Sequence, residues 1–344
     1  MGETRTRSLT VIIPAFNEAE TIADTIRSLQ DQTVVPDAIL VVDDCSDDGT
    51  GDVAAALGVR VLRPAVNTGS KAGAQTFALT QVDTELTMAI DADTTLAPDA
   101  IEKLLPAFDD EEVAAASGFV VPRHISSVWE RGRYVEYLLA FCFLKQVQDF
   151  YGTSLISSGC FSMYRTSELR AVGGWSTRTL AEDMDLTWSF YERGSKVRFM
   201  PGAFCYPIEP HDLGFMRKQL RRWSHGFIQN VRLHWHGILP HGYLRSSVAV
   251  LWWDALVATV AFLIALPLLI LFVSPWFALG YVLDAPAVLV PIVIAAAARK
   301  ELRRALLSFP AFYPVRVLNA VMMLKAVFRE LVLRKPLLVY EKGH

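Results

Sequence analysis

Cysteine is scarce in this chain of 344 residues: Cys45, Cys142, Cys160 and Cys205 are the four, and no two stand at C-x-x-C spacing. That excludes a disulfide scaffold and a cysteine-based zinc site, and it fits reduced thiols in a domain facing the cytosol. Excess charge of either sign is also missing. Basic residues number 33 and acidic residues 36, a net charge of −3, which argues against binding nucleic acid through bulk charge. Charged residues make up only 20% and hydrophobic ones 52%, with mean hydropathy +0.29. Disorder needs the opposite balance. No apolar h-region precedes the first strand in MGETRTRSLTVIIPAF, so no signal peptide is expected. Internal repeats and low-complexity segments are absent. His124, His211, His225, His234, His236 and His241 show no metal-ligand spacing, although His211 could touch a metal or a diphosphate.

The apolar excess is concentrated. Lys and Arg are missing from Val248 to Ala298, and Asp254 and Asp284 are the only charges there. Val248–Val273 is one long apolar run, Ser274-Pro275 breaks it, and Trp276–Ala298 is a second. A spanning helix needs about 20 residues at 1.5 Å each. The pattern therefore predicts a hairpin of two spans, about 248–273 and 276–298, with Trp252, Trp253, Trp276 and Tyr281 near the interfaces. Arg217, Lys218, Arg221, Arg222, Arg232 and Arg245 precede it and Arg299, Lys300, Arg303 and Arg304 follow it. Both flanks are then cytoplasmic, in a multi-pass protein of the cell membrane. Beyond Arg304, apolar residues alternate with Arg316, Lys325, Arg329, Arg334 and Lys335. That predicts an amphipathic helix lying on the membrane and a cytoplasmic C-terminus; a third, short span is the competing reading.

Residues 1–240 alternate strand and helix signals. Leu9–Pro14, Ala38–Val42, Val59–Leu62 and Leu86–Ile90 read as strands, and Glu18–Gln30, Val53–Leu57 and Ser70–Leu79 as helices. Such alternation predicts an α/β domain with parallel β-α-β units. Ligands of such sheets bind outside the carboxyl ends of the strands, where the acidic clusters fall.

Asp43-Asp44 closes the second strand. Its carboxylates could accept hydrogen bonds from a nucleobase N–H and a ribose hydroxyl, or serve only the turn CSDDGT. Asp91-Ala92-Asp93 follows the strand LTMAI. Two hard carboxylates there could hold Mg2+ or Mn2+, which would neutralise a diphosphate. Lys71, in NTGSKAG, could reach a phosphate, but the glycines fit neither the Walker A nor the dinucleotide pattern. Glu182-Asp183 precedes a probable helix; a carboxylate there could take a proton from an attacking hydroxyl, or cap the helix. Gln219, Arg222 and Trp223 share one helix face at i, i+3 and i+4. Arg could clamp a diphosphate and Trp could carry a sugar ring; a basic helix held by anionic lipid is the alternative. The aromatic stretch Val128–Tyr151 reads as a packing helix or as a cradle for an acceptor.

VIIPAFNEAETI, VVDDCSDDGT, NTGSKAGA, AIDADT, SSGCFSMYR, LAEDMDLTW and QLRRW follow one another in the order seen in family 2 glycosyltransferases. Over roughly residues 8–235 the chain resembles their membrane-bound members, which include cellulose, chitin and hyaluronan synthases. The resemblance implies a GT-A fold, a doubly wound mixed sheet, carrying a C-terminal membrane hairpin and interfacial helices. By position it implies a nucleotide pocket lined by Pro14, Phe16 and Glu18, with Asp44 on the base, Asp43 beside it and Lys71 near ribose or phosphate. It makes Asp91 and Asp93 the D-x-D pair, with Asp93 the direct ligand of Mg2+ or Mn2+. Asp183 becomes the general base with Glu182 in support. Gln219, Arg222 and Trp223 would bind diphosphate and the acceptor's terminal sugar, and Gly159-Cys160 part of the acceptor. In one respect the chain departs from the pattern: two spans cannot enclose a sugar-wide channel. Either several copies assemble one, or the enzyme elongates its acceptor at the cytoplasmic face.

The activity so implied is inverting hexosyl or N-acetylhexosaminyl transfer. The donor is a nucleotide diphosphate-sugar and the acceptor a hydroxyl of a glycan or glycolipid, in polysaccharide synthesis. Two other readings compete: transfer of a single sugar to polyprenyl phosphate or a lipid, and a non-catalytic membrane scaffold that binds sugar nucleotides. On this reading residues 1–240 are the cytoplasmic catalytic domain and 241–344 the membrane domain.

Overall fold

In the computed structural model, residues 7–238, 240, 242–253 and 260–337 are described. They form two compact units, Met1–Arg123 with Gln148–Ile208, and His124–Val147 with Glu209–His344.

The first unit is built on one mixed sheet of eight strands: β1 (Leu9–Ala15), β2 (Ala38–Asp43), β3 (Arg60–Leu62), β4 (Leu86–Ile90), β5 (Thr95–Leu96), β6 (Val113–Val120), β7 (Phe161–Arg165) and β8 (Lys196–Tyr206). Their order is β3-β2-β1-β4-β7-β6-β8-β5. From β3 to β4 the neighbours run parallel, while β7 runs antiparallel to both β4 and β6. The central strands are near-continuous apolar runs because helices cover both faces: Val11, Ile12, Ile13, Val41, Val42, Met88 and Ile90 are fully buried. The helices Ile22–Gln30, Thr50–Ala56 and Lys71–Leu79 are the crossovers between parallel strands, as the alternation in the sequence requires.

Register then fixes the candidate site. Ala15 pairs with Asp43 and Ile12 with Ala89, so β1, β2 and β4 end side by side. Ile90 pairs with Phe161, which sets the turn at Gly159-Cys160 beside Asp91; the Asp91 N–H donates to the Cys160 carbonyl at 3.3 Å. The helix Glu182–Glu192 holds that turn from the other side. Trp188 Nε1 donates to the Leu155 carbonyl, the Tyr191 hydroxyl donates to the Ser154 carbonyl, and the Ser157 N–H donates to Thr187 Oγ1.

In the second unit, Tyr134, Val135 and Leu138 of the helix Val128–Leu139 pack on Ile292, Ala296, Ala305 and Phe312. Met216 and Leu220 of the long helix Leu213–Ile238 pack on Val315 and Met322. The sequence alone draws a single boundary near 240. Along the chain the segments of the two units alternate, and the buried face of Val128–Leu139 finds its partners within the second unit. In the region of the two expected spans, Leu279–Ala298 is one apolar helix of 20 residues, Ala261–Phe272 is a shorter apolar helix, and 254–259 lie outside the described residues. Among the described residues, one helical run is long and apolar enough to cross a membrane, Leu302–Val332 with 31 residues. It is the stretch for which the sequence predicts an interfacial helix: its basic residues are spread so widely that an apolar window opens between them.

Gly118 lies in β6 against the Phe161 ring and the Ala203 carbonyl, and a Cβ there would collide with both. Gly118→Ala should destabilise the full chain by about 1–3 kcal/mol, read as a lower midpoint in thermal unfolding.

Candidate active site

The side chains singled out in the first unit meet at the carboxyl ends of β1, β2 and β4. Lys71 is the centre of the cluster. It stands in the first turn of the helix Lys71–Leu79, whose Ser70 cap accepts a hydrogen bond from the Gly73 N–H at 3.1 Å. Its side chain is 12% exposed. The ammonium forms an ion pair with Asp91, donates to the Gly159 carbonyl at 2.9 Å and stands 3.9 Å from Glu182. One cation thus draws together four segments of the chain.

Asp183 is the half-buried second residue of the helix Glu182–Glu192. Its Oδ2 accepts the Gly159 N–H at 2.9 Å and its Oδ1 the Met184 N–H at 2.8 Å. The helix N-terminus supplies partial positive charge at the same place. A Cβ at position 159 would stand 2.7 Å from Asp183 Oδ2, so Gly159 is what lets the carboxylate lie against the turn. Beneath it, burial and the charge of Asp183 push the Tyr164 hydroxyl up to about 12. The neighbouring Asp185 is buried and takes a two-pronged pair from Arg178 at 2.8 and 2.6 Å.

The loops after β1 and β2 are tied to each other. The Glu18 N–H donates to Thr50 Oγ1 at 2.7 Å, the Ala19 N–H to Asp48 at 2.9 Å and the Asn17 N–H to Ser46 Oγ at 3.0 Å. Burial works against ionised Asp48, but hydrogen bonds from Thr50 and Ala19 outweigh it and hold its carboxyl below the usual value. Asn17 (φ 54°) and Cys45 (φ 67°) both take the left-handed backbone, a strain that surrounding bonds must offset. Phe16 projects from this corner, 40% exposed, next to Pro14 at the end of β1.

Asp44 is buried. Its two oxygens accept the N–H and the hydroxyl of Thr68 at 2.7 and 2.8 Å, so only its remaining lone pairs can meet a ligand. Asp43 accepts the Ser46 N–H at 3.1 Å and pairs with Arg63 at 3.2 Å. Arg63 pairs with Asp52 as well, and the two carboxylates raise its guanidinium above the ordinary value.

At the end of β4, Asp93 Oδ1 accepts the Thr94 hydroxyl at 3.1 Å, and the Asp93 carbonyl accepts from Arg123 at 2.8 Å. Burial lowers the Arg123 guanidinium against the pull of Asp93 and Asp24. Asp91 and Asp93 offer hard oxygen donors that suit Mg2+ or Mn2+. Lys71 already neutralises Asp91, so Asp93 is the better placed. Among the described residues there is no group of three or more His, Cys, Asp or Glu that could hold a metal. The pair therefore fits a cation whose shell is completed by a ligand's phosphates and water. His211 is exposed and pairs with Asp212 at 3.4 Å.

Gln219, Arg222 and Trp223 belong to the second unit, on the helix Leu213–Ile238. Arg133 donates to Gln219 Oε1 at 2.7 Å, and its guanidinium lies 4.6 Å from the centre of the Trp223 ring. Thr68, Arg123 and Arg133 escaped the sequence reading. Thr68 sits inside a quoted segment but looks like an ordinary turn residue. The two arginines lie in no motif, and only folding brings them to their partners.

The description "Glycosyl transferase family 2" belongs to the family model that matches residues 10–173. The chain is similar to the poly-beta-1,6-N-acetyl-D-glucosamine synthase of Staphylococcus aureus, 27% identical over 222 residues, covering 63% of this chain and 54% of that protein. The synthase of the same name from Staphylococcus epidermidis is 27% identical over 223 residues, with the same coverage. The chain thus spans about half the length of the curated relatives it matches. Among solved structures, a mannosyltransferase from Pyrobaculum calidifontis in complex with GDP-Man and Mn2+ superposes with a TM-score of 0.65 at 20% identity, covering 95% of this chain and 88% of that one. At that identity the likeness establishes the fold, that of a GT-A glycosyltransferase.

Thr68→Val removes the hydroxyl bond to a buried carboxylate, leaving the backbone N–H bond in place, while keeping the side-chain shape. It should cost about 1–3 kcal/mol, seen as a lower thermal midpoint of the full chain, whereas Thr68→Ser should retain most of the stability.

Proposed function

We propose that this chain, whose residues 10–173 match the model of glycosyl transferase family 2, is a membrane-bound inverting glycosyltransferase. It moves a sugar, of the hexose or N-acetylhexosamine class, from a nucleotide diphosphate-sugar to a hydroxyl of a glycan or lipid-linked acceptor in polysaccharide synthesis. One observation carries this reading: Lys71, Asp91, Glu182 and Asp183 gather around Gly159 at the carboxyl edge of the parallel strands. The similarity to poly-N-acetylglucosamine synthases favours an N-acetylhexosamine donor and a polymeric product. The apolar run Leu302–Val332, with the two apolar segments before it, supports attachment to the membrane by several helices and a catalytic unit on the cytoplasmic side.

The donor's nucleotide is bound at Pro14, Phe16, Glu18, Asp43 and Asp44, and its diphosphate lies toward Lys71. Asp183, oriented by the N–H groups of Gly159 and Met184, takes the proton of the acceptor hydroxyl. That oxygen then bonds to the anomeric carbon as the bond to the diphosphate breaks on the opposite face. Asp93, with Asp91 beside it, would hold Mg2+ or Mn2+, which when bound offsets charge on the departing diphosphate. In the second unit Gln219 and Arg222 are assigned to a diphosphate and Trp223 to an acceptor's terminal sugar; in the first, Gly159-Cys160 is assigned to part of the acceptor.

The test is a screen of UDP- and GDP-linked hexoses and N-acetylhexosamines for release of the nucleoside diphosphate, with the product sized by gel. A ladder supports polymer synthesis, a single-sugar lipid replaces it with the simpler transfer, and no release from any donor overturns the enzymatic reading. Asp183→Asn should lower turnover by about 10²–10⁴-fold while the donor Kd stays within about twofold; near-normal turnover would remove Asp183 from its role as base. Chelation with EDTA should abolish release, and added Mn2+ or Mg2+ should restore it. Full activity after chelation would dismiss the metal at Asp93.

A further inference from the structure

The Gln219 amide and the Trp223 ring are held by one buried side chain, Arg133, which is 2% exposed. Its helix, Val128–Leu139, is fixed at its start by a reciprocal cap: Ser127 Oγ accepts the Glu130 N–H, and Glu130 Oε2 accepts the N–H groups of Ser126 and Ser127. One residue before the arginine, a Cβ at Gly132 would come within contact of the Ala311 carbonyl and Val315, so the helix is seated closely at this point. Its position along and around its own axis is therefore set before Arg133 reaches out.

The guanidinium is hydrogen-bonded through both terminal nitrogens, whereas the buried Nε makes no hydrogen bond. Nη2 donates to Gln219 Oε1 at 2.7 Å and approaches Met216 Sδ at 3.2 Å. Nη1 pairs with Glu136 at 2.5 Å, and Nε faces Glu209 at 3.5 Å. The flat face lies over Trp223 at 4.6 Å and near Tyr137 at 5.7 Å. Tyr137 in turn donates to Glu209 at 2.7 Å. Burial alone would weaken the charge on Arg133, but Glu136 and Glu209 outweigh it and hold the guanidinium above its ordinary value. A plane that hydrogen-bonds along its edge while stacking on indole is a geometry lysine cannot copy.

The geometry points to Arg133 as a positioning residue that sets the Trp223 ring for the acceptor sugar and holds Gln219, assigned above to the diphosphate, by one donated hydrogen bond. This rests on the glycosyltransferase reading, in which Trp223 is the platform for that sugar. Arg133 touches no reacting atom; it acts through the two residues it grips.

The test compares wild type, R133K, W223A and the double variant. It uses the donor that releases most nucleoside diphosphate in the screen above and oligosaccharides of the same sugar as acceptor. R133K should raise the acceptor KM about tenfold, as expected for loss of a desolvated cation–π contact. Lysine keeps a donor for Gln219, so donor KM and acceptor-independent donor hydrolysis should stay within about twofold. R133K together with W223A should be no worse than W223A alone. A readout that does not depend on turnover is the Trp223 fluorescence, taken as the difference from W223F: acrylamide should quench it more in R133K. If R133K does not fold, R133Q combined with E209Q removes both buried charges and keeps an amide donor for Gln219, and the same split is expected of it. An acceptor KM within twofold of wild type, or a parallel fall in transfer and hydrolysis, overturns the role of Arg133. Wild type that turns over no nucleotide-sugar overturns the reading beneath it.

Discussion

The first unit depends on a single ammonium group. Without Lys71, the carboxylates of Asp91 and Glu182 would share a partly buried corner with no counter-charge, an arrangement that costs several kcal/mol. With it, the ends of β4, the turn before β7 and the start of the helix Glu182–Glu192 are bound to one point. Asp183 inherits its position from this, since the Gly159 N–H that fixes its carboxylate belongs to the same peptide segment whose carbonyl faces the lysine. Electrostatics here is a means of construction, because it converts distant pieces of chain into one small surface.

That construction accounts for what could be read from the residues alone. The parallel strands were legible because burial on both faces forces apolar runs, and Val11–Ile13, Val41-Val42 and Leu86–Ile90 show them plainly. Asp43-Asp44, Asp91-Asp93 and Glu182-Asp183 were legible because they end strands or open a helix, where ligands of such sheets bind. The interactions that grip them were not. Thr68 is one more polar residue in a turn until it is seen on both oxygens of Asp44. Arg133 lies in an aromatic stretch that reads as a packing helix, and its partners are about 80 to 90 positions away, beyond any local periodicity.

The same limit governs the C-terminal third. Hydropathy identifies which stretches are apolar but not which apolar face is already taken. Val128–Leu139 reads as part of the first 240 residues, yet its buried side chains pack on Ile292, Ala296, Ala305 and Phe312. Leu302–Val332 reads as amphipathic because basic residues recur along it, yet it is continuous over a length sufficient to span. Composition and packing answer different questions about the same residues.

The lysine–aspartate pair at the end of β4 also sets how this corner meets a dissolved cation. A bare acidic corner would attract any dication present. Here a tethered counter-ion occupies that corner and cannot diffuse away, so a dissolved metal ion must compete with it.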